Sequence, residues 1–163
     1  MLLSQPNATL EIRLCQPSAF VRQHQSQIFP TWNEPIASII LILQKSRFPL
    51  PTDNPELEAE KEQLRERFLR WAFPRVCQLR DRDFLTDLID PRSGYPLFSN
   101  PGEIRHDDVA AVAATLGWEI ASVGNCRAIV HPQWRTAVYP ATLLSTASLP
   151  VLQSVLNGDR LEL

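Results

Sequence analysis

The sequence predicts an α+β domain: a mostly antiparallel sheet with flanking helices. Three observations carry this. The continuous, β-branched run Ala37-Ser-Ile-Ile-Leu-Ile-Leu-Gln44 reads as a strand buried on both faces. A long stretch places Leu57, Leu64, Phe68, Trp71, Val76 and Leu79 on one stripe at helical spacing. Strand patterns then cluster late, with short connections, which suits antiparallel pairing better than a doubly wound parallel sheet. With 163 residues the chain is expected to form a single domain over 1–163, long enough to bury roughly 70% of its unfolded surface.

The elements follow in order. Leu10, Ile12 and Leu14 alternate with Glu11, Arg13 and Cys15, the period of a strand with one buried face. Ser18 to Phe29 fits a short helix ending before Pro30. Pro49, Pro51 and Pro55 make a loop that cannot enter a sheet interior. Asn54 as N-cap and Pro55 as first helical residue start the long helix, with Glu56, Glu58 and Glu60 at its positive end. Pro74 predicts a kink or a division into two consecutive helices.

Phe84–Ile89 and Tyr95–Phe98 flank Asp90-Pro-Arg-Ser-Gly94, an order that suits a type I turn and hence a hairpin or tight corner. Asp107-Asp108 can cap a helix carrying Val109, Val112, Ala113 and Leu116, with Gly117 ending it. Trp118–Val123, Arg127–Val130 and Thr136–Tyr139 read as three strands, the first two joined by Gly124-Asn125-Cys126. A last helix runs from Pro150 to Leu156 and stops at Asn157-Gly158. The expected central strands are Ile39–Leu43 and Arg127–Val130, covered by the long helix.

Composition narrows the chemistry. A net charge of −2 argues against a general nucleic-acid binder, which needs a basic surface. Cys15, Cys77 and Cys126 form no C-x-x-C pair, and His24, His106 and His131 lie outside zinc-ligand spacing, so no metal site is expected. Isolated thiols suit a reducing compartment. No secretory pattern opens the sequence, and no apolar run approaches the ~20 residues that span a bilayer. The expectation is a cytoplasmic domain with no transmembrane segment. Glycine is scarce, 5 against 14 prolines, and neither Gly-x-Gly-x-x-Gly nor the P-loop pattern occurs.

No catalytic constellation emerges. Cys126 and His131 are separated by an odd offset, which puts them on opposite faces of a strand. Cys15 and Cys77 read as small core residues, whereas Cys126, beside Gly124, should be accessible. Asp87, Asp90, Asp107 and Asp108 all have turn or cap explanations, and His106 reads as a solvated residue ahead of a helix. Arg65, Arg67, Arg70, Arg75, Arg80 and Arg82 make the outer side of the long helix basic, either a solvated face or one for an acidic partner. Trp118 and Trp134 flank the Cys126 turn and read as core aromatics.

Several stretches together resemble one family. Phe84-Leu-Thr-Asp-Leu-Ile-Asp-Pro-Arg-Ser-Gly-Tyr-Pro-Leu-Phe98 is similar to the Ile-Asp-Pro-x-Ser-Gly hairpin of the cobalamin trafficking protein CblD family. Leu116-Gly-Trp118, Gly124-Asn-Cys-Arg-Ala-Ile-Val-His131 and Trp134 resemble its most recognisable stretch, in the same order. Phe29-Pro30, the Gln44-Lys45 end of the apolar strand and the Glu-rich helix start also fit. The likeness covers about Leu10 to Leu156 and corresponds to the family's C-terminal domain.

The resemblance implies a nitroreductase-like fold without its flavin, serving as a protein-binding module rather than an enzyme. It implies no cofactor on the isolated protein, and cobalamin only in complex with a partner such as the cobalamin-processing protein CblC. Animal members carry two adjacent cysteines after the glycine, the first credited with coordinating cobalt. Here Asn125 holds that position, and only Cys126 remains. The expected cobalamin-facing or partner-binding turn is Gly124, Asn125 and Cys126, with Asp90, Arg127, His131 and Trp134 as further partner-binding candidates. The alternatives are an interaction module of another complex that has lost the cobalamin role, and a flavin- or thiol-dependent reductase.

Overall fold

Alternate side chains of one strand organise the molecule. The computed structural model describes residues 9–50 and 55–158. The chain runs β1 (Leu10–Cys15), α1 (Ala19–Gln23), α2 (Gln25–Ile28), β2 (Ser38–Lys45), α3 (Pro55–Arg80), β3 (Thr86–Leu88), α4 (Asp108–Leu116), β4 (Ile120–Val123), β5 (Cys126–Ile129), β6 (Val138–Ser145) and α5 (Leu149–Gly158). A four-stranded antiparallel sheet has the order β1-β2-β6-β3, and β4 with β5 forms a separate antiparallel pair.

β2 is buried from Ser38 through Gln44, as its unbroken apolar run requires. Ile40 and Ile42 face one core with Phe68, Trp71, Val76 and Leu79 of α3 and Leu152, Val155 and Leu156 of α5. Ile39, Leu41 and Leu43 face the other, with Val21, Ile28, Val112 and Ile129 from α1, α2, α4 and β5. The stripe expected on the long helix is buried throughout, from Leu57 to Leu79.

Local signals hold at most helix ends. Ser18 caps α1 by accepting from the Val21 N–H, and Asp107 caps α4 by accepting from the Ala110 N–H at 2.9 Å. Gly117 closes α4 in the left-handed region at φ 70°. The Asn54 cap lies outside the described residues. Pro74 does not divide α3, which continues to Arg80. The proline is exposed, so the Arg70 carbonyl that lacks its helical donor lies on the solvent side.

The sheet corrects three expectations. The second central strand is β6, not Arg127–Val130, most of which lies in β5 of the separate pair. A strand covered on both faces needs small or apolar residues throughout; Ala141–Ser145 is buried without a break, whereas Cys126 and Arg127 are exposed. β6 also runs to Ser145 rather than stopping at Tyr139, despite Pro140. Pro140 shares its parity with Thr142, whose carbonyl accepts from Ile89 on the β3 side. The missing N–H of Pro140 therefore points beyond the end of β3, where no ladder bond is lost. Tyr95–Phe98 is likewise not a strand: a single bridge, Ile89 to Pro96, makes the segment a tight corner.

Candidate functional site

The corner is built on Asp90. Its backbone carbonyl accepts from the Gly94 N–H at 2.8 Å, and its carboxylate accepts from Arg65 Nε at 2.6 Å and from the Arg92 N–H at 3.2 Å. Burial would push this acid up, but Arg65 and the N–H donor outweigh it and hold Asp90 below the usual carboxylate range. Asp90 is thus committed inward, fastening the corner to α3. Gly94 has φ 75°, and a Cβ there would stand 2.8 Å from the His106 carbonyl oxygen. The His106 N–H in turn donates to the Gly94 carbonyl at 2.9 Å. These contacts press the corner onto the segment that enters α4.

That packing overturns the solvated reading of His106, which is 7% exposed. Nothing in the all-polar run Arg105-His-Asp-Asp108 discloses it, because the cover comes from Gly94, far earlier in the chain. His106 Nε2 lies 3.7 Å from Asp108 Oδ1, beyond hydrogen-bond reach, and neither atom has a partner. Burial lowers His106 to about 4 and raises Asp108 to about 7.

β4 and β5 meet at a two-residue turn, Gly124-Asn125, with Gly124 at φ 58°. Val123 stands opposite Cys126, and Ser122 opposite Arg127. Val123 is 62% exposed, and the tip beyond it is exposed throughout. Cys126 is exposed while Cys15 and Cys77 are half-buried, and burial pushes the Cys15 thiol up. At the hairpin base Ala128 and Ile129 are buried. Arg127 pairs with Asp107, the cap of α4, and so ties the hairpin to the helix start.

Between the corner, the start of α4 and the hairpin lies a cleft of about 560 Å³. Arg92 and Gly94 contribute from the corner, Arg105 to Asp108 from the α4 entrance, and Cys126 and Arg127 from the hairpin; Lys61 of α3 and Tyr139 of β6 complete it. A groove of about 410 Å³ along α3 shares Lys61, Arg92 and Tyr139 with it. The structure thus brings the Asp90 corner and the Cys126 turn to one depression.

His131 and Trp134 lie apart from the cleft. His131 is 2% exposed, stacked on Trp134 at 4.1 Å between centroids and edge-on to Trp118 at 4.9 Å. Its Nδ1 accepts from the Gln133 and Trp134 N–H groups, both at 3.1 Å, so the proton sits on Nε2 and is donated to Glu11 at 3.1 Å. Arg13 holds the other Glu11 oxygen at 2.5 Å. Trp118 and Trp134 pack on the core as half-buried aromatics.

The arginines of α3 divide. Arg67 and Arg70 are exposed, as a solvated face requires, and Arg82, also exposed, lies in the turn beyond the helix end at Arg80. Arg65 binds Asp90, Arg75 lies over Trp71 at 4.4 Å, and Arg80 lies over Phe98 at 5.5 Å. Lys61, Arg92 and Arg105 were not singled out by sequence reasoning, since only tertiary contact brings them together. Among the described residues no group of three or more His, Cys, Asp or Glu side chains is placed to hold a metal ion, and no helix is long and apolar enough to cross a membrane.

The family model described as methylmalonic aciduria and homocystinuria type D protein matches residues 3–155. The chain belongs to that family. Among curated relatives, the cobalamin trafficking protein CblD of Rattus norvegicus is 25% identical over 154 residues, covering 94% of this chain and 52% of the relative. CblD of Homo sapiens is 25% identical over 142 residues, covering 87% and 48%. CblD of Gallus gallus is 23% identical over 141 residues, covering 86% and 48%. The chain spans about half the length of these CblD relatives. The matched span includes the corner, the α4 entrance and the hairpin, so the cleft lies wholly within the part shared with CblD.

Proposed function

We propose that this chain is a non-enzymatic, CblD-like adaptor in intracellular cobalamin trafficking, working as a single domain in the cytoplasm by docking on a cobalamin-processing protein of the CblC type. The observation that carries the reading is the family match over residues 3–155. The relatives' name supplies the cobalamin role. The hairpin tip supports the docking role: Val123, an apolar residue 62% exposed, stands beside an exposed thiol and the cleft. In this reading the isolated chain holds neither flavin nor cobalamin, and cobalamin meets it only inside the complex. Gly124, Asn125 and Cys126 face the partner or its cobalamin, with Arg127 beside them; Asp90 holds the neighbouring corner to α3, and His131 and Trp134 act in the frame rather than at the contact.

Asn125 favours a second reading, an interaction module of another assembly. An amide at the position of the family's credited cysteine is a poor cobalt ligand. The test is to mix the purified chain with a CblC-type protein carrying cobalamin. We expect co-elution in gel filtration with little or no cobalt–sulfur absorbance change, a stronger change in Asn125→Cys, and little effect of Cys126→Ser. Failure to co-elute would remove the adaptor reading. A strong cobalt–thiolate spectrum that disappears in Cys126→Ser would make Cys126 the ligand.

A further inference from the structure

The cleft beside the hairpin has features that partner docking does not require. Its volume of about 560 Å³ falls within the ~300–1,000 Å³ common for small-molecule sites. Its charge is unevenly committed. Asp107 is engaged twice, by the Ala110 N–H and by Arg127. Arg92 is 76% exposed and reaches Glu62 only at 3.8 Å. Arg105 forms no ion pair among the described residues; it rests on the Tyr95 ring, 5.3 Å from its centroid, and its Nε donates a long hydrogen bond to the Tyr95 hydroxyl at 3.4 Å, which leaves its charge unneutralised. His106 and Asp108 line the same cleft, and their facing atoms, Nε2 and Oδ1, 3.7 Å apart, are buried without a hydrogen-bond partner. Unpartnered buried polar groups are costly, and bound ligands are one way they become satisfied.

We propose that this cleft binds a small organic anion, its phosphate or carboxylate group held by Arg92 and Arg105 and its uncharged polar groups directed towards His106 and Asp108. An anion fits because the cations at the rim are the uncommitted charges, and a guanidinium fork matches both phosphate and carboxylate geometry. Asp108 does not oppose it. Raised by burial to about 7, it spends much of its time near neutral pH as an uncharged acid able to donate a hydrogen bond. The proposal stands on the cleft alone and does not depend on the cobalamin reading.

Cys126, exposed on the cleft wall, is a built-in reporter. The experiment uses the purified chain without partner or cobalamin and follows alkylation of each cysteine by iodoacetamide, read by peptide mass mapping. Citrate and ribose 5-phosphate are the two probes, with sodium chloride at matched ionic strength as control. At least one probe should slow modification of Cys126 fivefold or more at saturation while Cys77 is unaffected. Protection by citrate alone assigns a carboxylate, by ribose 5-phosphate alone a phosphate, and by both a site that accepts either group. Arg105→Gln should raise the half-effective concentration tenfold or more, and Arg70→Gln, on the exposed side of α3, should leave it unchanged. If Arg105→Gln lowers the melting midpoint, Arg92→Gln takes its place with the same expectation. No protection, equal slowing by sodium chloride, or protection unchanged in the folded arginine variants would overturn the site.

Discussion

Two histidines, each beside a carboxylate, are treated in opposite ways by this fold. His131 meets Glu11 at 3.1 Å, has its other ring nitrogen fixed by two backbone N–H groups, and lies between two tryptophans. Every polar atom of that ring is used. His106 lies 3.7 Å from Asp108 and is equally hidden, yet the facing atoms of both side chains are unpartnered and the pair borders a cleft. The first pair joins β1 to the segment entering β6 and has nothing left to offer a ligand. The second keeps polar capacity in reserve. Residue type therefore does not distinguish a structural histidine from one available to a ligand; the count of satisfied atoms does.

The largest effect should come from breaking the satisfied pair. His131→Ala leaves Oε2 of the buried Glu11 without its donor, Arg13 holding only Oε1, and removes a stacked ring; it should cost about 3 kcal/mol in denaturant unfolding. The same truncation at His106 removes no hydrogen bond of its ring and should cost clearly less.

The second effect appears in the pH dependence of stability. His106 moves from 6.5 to about 4 on folding, and Asp108 from 3.8 to about 7. Between about pH 4 and 6.5 the folded chain carries one proton on Asp108 and the unfolded chain one on His106, so this pair adds almost no slope. Above that window the unfolded pair has lost its proton and the folded pair keeps it, so stability falls as pH rises through about 7. Below about 4 both states take up a second proton, on His106 in the folded chain and on Asp108 in the unfolded one, so the pair again adds almost no slope. Removing either partner exposes the other. Asp108→Asn should gain stability as pH rises from 4 to 6.5, and His106→Gln should lose it from 4 to 7. Inside its window each slope should approach about 1.4 kcal/mol per pH unit, the value for one proton. Urea melts at half-unit intervals check this, and flat curves in both variants would remove the assigned shifts.

How much of this was legible depends on whether the cause was local. β1, β2, the buried stripe of α3 and the ends of α4 follow from period, caps and glycine, and all are found. The strand read at Thr136–Tyr139 runs on to Ser145 past Pro140, and only the length of β3 shows that the N–H this proline lacks has no ladder to join. The exposed thiol at Cys126 was legible from the turn. The cleft was not: Lys61, Arg92, Arg105 and Arg127 come from four elements, and His106 is covered by a corner whose position no local pattern records.

A smaller effect tests that corner. Gly94→Ala places a Cβ against the His106 carbonyl oxygen at φ 75° and should cost about 1–2 kcal/mol. It should also displace the roof of the cleft. Smallest of all, Cys126→Ser should change stability by less than about 0.5 kcal/mol, as expected for an exposed site, while removing the fastest-alkylating thiol. If Cys77 or Cys15 reacts first, the exposure order of the three thiols is wrong.

The most direct test of the account separates the surface that binds from the pair that holds the fold. Thermal midpoint and affinity for a cobalamin-loaded CblC-type protein, by isothermal titration, are measured on the same samples of Val123→Asp and His131→Asn. The account predicts that Val123→Asp keeps its midpoint within about 2 °C and binds at least tenfold more weakly, whereas His131→Asn loses several degrees and, where still folded, binds as the unmodified chain does. Undiminished binding by Val123→Asp, with loss confined to folded His131→Asn, would contradict it.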